Sequence, residues 1–137
     1  MGFSARITVR FNHVDAAGIV FYPRYYEMLN ETIERWFDEG LGTSFRDLHL
    51  VQNRGMPARN IAVDFIKASR LGEVLTFNLS VKKIGASSVT LEIRCVCDGE
   101  ERLVANVVLV CVALSPFAAA PLPTALRERM AAFGAAA

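Results

Sequence analysis

The sequence predicts an α+β domain in which one long amphipathic helix lies on an antiparallel sheet. Three observations carry this prediction. After Pro23, the residues Tyr25, Met28, Leu29, Thr32, Ile33, Trp36 and Phe37 recur at steps of three and four, which is the spacing of one helix face. Beyond Pro57, successive segments alternate with a period of two, most clearly at Leu75, Phe77, Leu79 and Val81, as half-buried strands do. A further alternating segment, with Ile7, Val9 and Phe11 set against Arg6, Thr8 and Arg10, precedes the helix.

The opening strand is expected over Ala5 to Phe11. Asp15-Ala16-Ala17-Gly18 then breaks the alternation. Gly18 tolerates positive φ and the Asp15 carboxylate can hold neighbouring amides, so this is a turn, followed by the apolar run Ile19 to Tyr22. Pro23 suits the first helical position, and Gly40 and Gly42 end the helix. Thr43 to Gly55 reads as a loop with a short helical turn. Strands follow on Ile61, Val63 and Phe65, on Leu75 to Val81, on Val89, Leu91, Ile93, Cys95 and Cys97, and on Leu103 to Leu114. The turns between them fall at Arg70 to Glu73, Gly85 to Ser87 and Asp98 to Glu100. The last strand is apolar on both faces apart from Asn106, which suits cover by the helix on one side and by a second subunit on the other. In the Ala- and Pro-rich tail, Ser115 to Ala137, Thr124 is expected to cap a short helix carrying Leu126, Met130 and Phe133.

The 137 residues fit a single domain, 1–137, with its core at about 5–114, and a 53% hydrophobic fraction fills that core with apolar surface to spare for a partner. Fifteen basic and 14 acidic side chains leave a formal charge of +1, so neither nucleic acid nor an anionic membrane is an expected partner. Three cysteines, two of them neighbours on one strand face, point to a reduced, cytoplasmic setting. No apolar run reaches the ~20 residues of a membrane helix. No Cys or His spacing closes a metal site, and the nucleophile-elbow and phosphate-loop motifs are absent from the sequence. What remains for chemistry is Asp15 just ahead of a helix start. There, unpaired amides from Tyr22 onward offer oriented donors and a charge of about +0.5. On its residues alone, Asp15 is first of all a turn residue.

The stretch Asp15-Ala16-Ala17-Gly18-Ile19-Val20-Phe21-Tyr22-Pro23 resembles the signature of the 4-hydroxybenzoyl-CoA thioesterase family: an Asp, two spacers, Gly-Ile-Val, an aromatic and Tyr-Pro before the central helix. The resemblance implies a hot-dog fold over residues 5–114 and a hydrolase of acyl-CoA thioesters. No cofactor is implied, since coenzyme A belongs to the substrate. Asp15 would be the nucleophile or general base, the Tyr22 backbone N–H would polarise the thioester carbonyl, and Phe21 would shape the acyl pocket. The family's sites lie between subunits, implying a homodimer or homotetramer. Asn30 falls where the family recognises a ring hydroxyl of the acyl group with an acid; an amide there fits a different ring substituent or a non-phenolic group.

For coenzyme A the resemblance points to the turn at Gly85 to Ser88. Ser88 is kept but the family's basic run is Gly85-Ala86-Ser87 here, which leaves Lys82 and Lys83 to reach the phosphates. Arg59 and Asn60 either line the pocket or are polar groups of an edge strand. His13 stands where relatives often carry an acid, and it reads as a surface histidine or as a neighbour of Asp15 that touches substrate. Asp64, Glu27 and Glu31 are reserve carboxylates. Two other readings stand beside hydrolysis: a hot-dog dehydratase or hydratase, and a non-catalytic acyl-CoA-binding protein. An acyl carrier protein is an alternative thiol carrier to coenzyme A.

Overall fold

Residues 2–134 are described by the computed structural model; Met1 and residues 135–137, which the expected domain and tail include, lie outside the described residues. The elements run β1 (Phe3–Thr8), α1 (Pro23–Arg35), α2 (Phe45–Leu50), β2 (Arg54–Gly55), β3 (Ala58–Phe65), β4 (Val74–Ile84), β5 (Ser88–Cys97), β6 (Glu100–Val110), β7 (Val112–Leu114), β8 (Phe117–Ala119) and α3 (Thr124–Ala131). Five strands form one antiparallel sheet in the order β1-β4-β5-β6-β3. The chain pattern therefore gives the expected α+β layers, a hot-dog arrangement of sheet around helix.

Pro23 occupies the first turn of α1, and the helix passes into a π turn at Trp36–Gly40. A Cβ on Gly40 would meet the Trp36 ring at 2.8 Å and Phe133 at 3.1 Å, so close packing demands glycine there. The buried face of the helix, Tyr25, Met28, Leu29, Ile33, Trp36 and Phe37, lies on Leu75, Phe77, Leu79, Leu91, Ile93, Cys95, Leu103, Ala105 and Val107. Phe77, Cys95 and Leu103 stand opposite one another across three strands, which places their side chains on the same face. Each large side chain removed from water in this way contributes roughly 2 kcal/mol.

Edge strand β3 differs from the others. Ile61, Val63 and Phe65 pair with Val107, Ala105 and Leu103 and so face the helix side. Yet Ile61 and Phe65 remain 43% and 47% exposed at this open edge, although the Tyr25 ring of α1 meets Phe65 at 5.6 Å.

The long apolar strand expected to Leu114 ends at Val110. Cys111 leaves the ladder, its N–H donating to Ser87 O (2.7 Å), and β7 turns into a second sheet of order β2-β7-β8. An unbroken apolar run carries no signal for such a break. Thr124 is the first residue of α3 and not its cap, a position taken by Pro123 without a side-chain bond. Leu126 and Met130 are buried as expected, and the Phe133 ring meets Trp36 edge-on at 5.9 Å. Among the described residues no helix is long and apolar enough to cross a membrane.

Candidate functional site

Between β1 and α1 the chain makes two tight turns. Residues Phe11–His13 form one turn of 3-10 helix, closed by His13 N–H to Arg10 O (3.0 Å). His13 Nδ1 accepts the Arg10 N–H (2.8 Å), which places the proton of a neutral ring on Nε2. This turn swings Phe11 out of the expected strand and leaves it 83% exposed. Asp15 follows in an Asx turn: its Oδ1 accepts Ala17 N–H (2.9 Å), its C=O accepts Gly18 N–H (2.9 Å), and its N–H donates to Ile19 O (3.1 Å). Gly18 sits at φ +78°, which an L side chain resists. The carboxylate is exposed, and no donor to Oδ2 is found among the described residues.

The chain then returns beside His13, where Phe21 N–H donates to His13 O (2.9 Å), and enters α1. Arg24 N–H donates to Phe21 O (2.8 Å), Tyr25 N–H donates to Tyr22 O (3.1 Å), and Pro23 has no N–H. Tyr22 N–H is left as the donor at this helix start with no acceptor among the described residues. The rings of Phe21 and Tyr22 meet edge-on at 5.7 Å, and Tyr22 in turn meets Phe65 of β3 at 6.3 Å. An exposed aromatic wall thus runs from the Asp15 turn to the sheet edge.

Asn30, exposed on α1, borders a cavity of about 120 Å³ lined by Tyr26, Leu29, Ile33, Phe45, Met56, Ile61, Val107 and Leu109. It also borders a wider cleft of about 430 Å³ among Glu27, Glu31, Glu34, Asp38 and Arg46. The smaller space is the one with the character of an acyl pocket: enclosed, apolar and carrying a single amide. Arg59 and Asn60 do not line it. Both are exposed at an irregularity of β3, and Asn60 pairs with Val108 on the opposite sheet face.

The residues expected to hold coenzyme A lie elsewhere. Lys82 and Lys83 are exposed near the end of β4, and Ser88 opens β5 with its C=O accepting Gly85 N–H (2.7 Å). The turn they flank is partly covered by the tail: Leu122 N–H donates to Ala86 O (3.0 Å), and the Arg127 guanidinium donates to Gly85 O. Arg127 thus brings a cation to this turn from a helix about 40 residues away, with no local signal. The Asp15 turn is tied to residues 69–73, at the start of β4, whereas Lys82 to Ser88 lie at its far end, roughly 30 Å along the strand. One chain does not bring these two groups together.

A buried charge that the sequence did not flag anchors the Asp15 end. Arg102 of β6 is only 4% exposed and meets Glu73 bidentately, at 2.8 and 3.0 Å. Hydrogen bonding from Arg102 pulls the Glu73 carboxyl down from its ordinary 4.5 to about 2. A carboxylate depressed in the folded state stabilises it fully above its unfolded value and ceases to do so as pH falls through the folded value. Stability is therefore expected to decline between about pH 4.5 and pH 2, by on the order of 3 kcal/mol from this group, in urea titrations across that range. The same titrations on Glu73→Gln should show that part of the slope flattened. Glu73, Cys97 and Asp98 also place donor atoms within 4.8 Å of one another. Glu73 is held by Arg102, however, and burial raises the Cys97 thiol, which disfavours the thiolate a metal needs.

The fold and this turn define a class: a helix-wrapped hot-dog domain presenting a carboxylate before an open helix N-terminus. The thioesterase-like superfamily matches residues 9–130, and the chain belongs to it. It is similar to a 1,4-dihydroxy-2-naphthoyl-CoA hydrolase of Acaryochloris marina, 30% identical over 111 residues that cover 80% of each chain. The hydrolase of the same name from Nostoc punctiforme is 28% identical over 95 residues, 68% of this chain and 64% of that protein. The chain thus spans just under two thirds of the Nostoc relative. In fold it resembles the crystal structure of a Synechocystis 1,4-dihydroxy-2-naphthoyl-CoA thioesterase, at TM-score 0.87 and 22% identity over 96% of both chains. A gentisyl-coenzyme A thioesterase structure superimposes at TM-score 0.83 and 23% identity, covering 93% of this chain and 99% of the other.

Proposed function

We infer that this chain is a thioester hydrolase acting on an aromatic acyl-coenzyme A, with Asp15 as nucleophile or general base and the Tyr22 backbone N–H as oxyanion donor. The observation that carries the reading is the Asp15 turn itself: an exposed carboxylate delivered just ahead of a helix-start N–H that has no acceptor among the described residues. A carbonyl oxygen placed on that N–H gains both a hydrogen bond and the positive end of α1. Attack by Asp15, or by water that it deprotonates, puts negative charge on that same oxygen. Collapse of the tetrahedral species then expels coenzyme A as thiolate; the water route leaves the free acid directly, and the nucleophilic route leaves an anhydride on Asp15 that a water molecule hydrolyses to the acid, restoring the carboxylate.

The aromatic assignment is supported by the relatives, whose names specify ring-bearing acyl groups. The cavity beside Asn30, at about 120 Å³, agrees with it. An apolar cavity of about 150 Å³ takes up benzene, so the space here is on the order of one ring. The reading also needs two chains. A copy pairing antiparallel along the open edge of β3 would bring the Phe65 end of one chain, with its aromatic wall, against the Ala58 end of the other, where the Asn30 cavity lies. That is a homodimer, or a homotetramer of two such pairs, each subunit a single hot-dog domain over residues 1–137. It would also shorten the distance from Asp15 to Lys82, Lys83, Ser88 and Arg127. The three buried free thiols suit a reducing cytoplasm. Hydration or dehydration is less well served, since His13 is held by Arg10 N–H and His49 by Phe45 O (2.7 Å).

Thiol release over a panel of acyl-CoA substrates tests this. Single-ring aromatic substrates are expected to exceed long aliphatic ones by at least tenfold in kcat/KM. Asn30→Ala should lower the preference for a hydroxylated over an unsubstituted ring by about tenfold, the worth of one hydrogen bond in a dry pocket. A long-chain preference, or an unchanged ratio in the variant, contradicts the pocket assignment.

A further inference from the structure

Both arms of the Asp15 turn end on one short segment, residues 68–73. The chain entering the Asp15 turn is tied to it by Val9, whose N–H donates to Glu73 O (2.8 Å) and whose C=O accepts Gly72 N–H (2.9 Å). The chain leaving the turn is tied to it by Val20 N–H to Ser69 O (2.9 Å), Leu71 N–H to Gly18 O (3.3 Å) and a bridge between Ile19 and Arg70.

The segment itself is held by the Arg102 guanidinium. It donates to Ala68 O (3.1 Å), to the fully buried Ser69 Oγ (3.1 Å) and to both oxygens of Glu73. Glu73 Oε1 in turn accepts Arg70 N–H (2.6 Å). As a stabilising device this is an inefficient choice, since well-packed apolar residues often match or exceed a buried ion pair. What a planar guanidinium does better than any apolar group is to fix several oxygens at once in one geometry.

We propose that Arg102, Ser69 and Glu73 are positioning residues for hydrolysis: through residues 68–73 they hold both arms of the Asp15 turn, and through Val20 the chain leading to Tyr22, in register. None of the three touches substrate in this arrangement. The inference rests on the Asp15 reading above. Loss of alignment is felt in the chemical step far more than in binding, and a displacement near 1 Å can cost roughly 100-fold.

The test is steady-state thiol release by Ser69→Ala and Arg102→Lys beside the wild type and Asp15→Asn. Ser69→Ala deletes one hydroxyl from the clamp; Arg102→Lys keeps the charge and loses the fork. Both are expected to lose about 10- to 100-fold in kcat with KM within about threefold and a wild-type circular dichroism spectrum. If Asp15→Asn is inactive while folded Ser69→Ala retains wild-type kcat, the clamp is overturned and the Asp15 reading stands. If Asp15→Asn is fully active, the Asp15 reading itself falls, and the clamp with it. Should Arg102→Lys fail to fold, Ser69→Ala decides, together with hydrogen exchange on the wild type. There the amides of Val9 and Val20 are expected to be protected like those of the sheet. Exchange at loop rates would overturn the proposal.

Discussion

Asp15→Asn is expected to lower kcat by about 10³-fold, within the range general-base catalysis commonly contributes, while leaving stability within about 0.5 kcal/mol of wild type. The substitution is chosen because it separates the two roles the residue holds. In the turn, Asp15 works through Oδ1, which accepts Ala17 N–H (2.9 Å). An Asn carbonyl oxygen accepts the same bond. The turn, the Gly18 conformation and the contacts to residues 69–71 should all survive. What is lost is the negative charge and the second oxygen, the only features that the chemistry requires and the turn does not. A residue that merely closes an Asx turn would tolerate the change with near-normal turnover, and that result would remove Asp15 from the mechanism. Measured side by side, kcat and the urea midpoint decide between the roles.

Glu73→Ala is expected to destabilise the fold by about 3–5 kcal/mol, read as a lowered urea midpoint with unchanged slope. The reason is the asymmetry of the pair. Arg102 is buried, whereas the Glu73 side chain is a quarter exposed. Removing the carboxylate strands a guanidinium whose remaining acidic neighbour, Glu100, stands at 3.4 Å and is itself half exposed. The arginine has no route to water without opening the packing of β6 against residues 68–73. A loss below about 1 kcal/mol would mean that Arg102 is solvated or repartnered in solution, and the buried clamp would have to be abandoned.

Much of this architecture is legible in the sequence because it is local. Period-two alternation located β4 and β5, and the 3.6-residue rhythm after Pro23 located α1, with its end at Gly40 and Gly42. The Asp15 turn is equally local, since it is written in four consecutive residues ending in a glycine that needs positive φ. What escaped is non-local or silent. Phe11 kept the strand rhythm, yet the His13 ring captures Arg10 N–H and turns it outward. The break at Cys111 is set by Ser87 from a distant turn. Arg102 reads as one more charge at a strand start; its burial depends on the register of β6 against a loop 30 residues earlier. Arg127 reaches Gly85 from the tail for the same reason. Arg59 and Asn60 fit a pocket or an edge strand by sequence, and in the single chain they stand exposed beside the irregularity at Ala58/Asn60 in β3.

The central claim is that this chain turns over a thioester, and multiple-turnover release of free coenzyme A measures it most directly. Supplied in excess with the single-ring aromatic acyl-CoA that it turns over best, the wild type is expected to release many equivalents of thiol per site and Asp15→Asn essentially none. Saturable binding of the acyl-CoA with no thiol released by the wild type would contradict the account and leave an acyl-CoA-binding protein in its place.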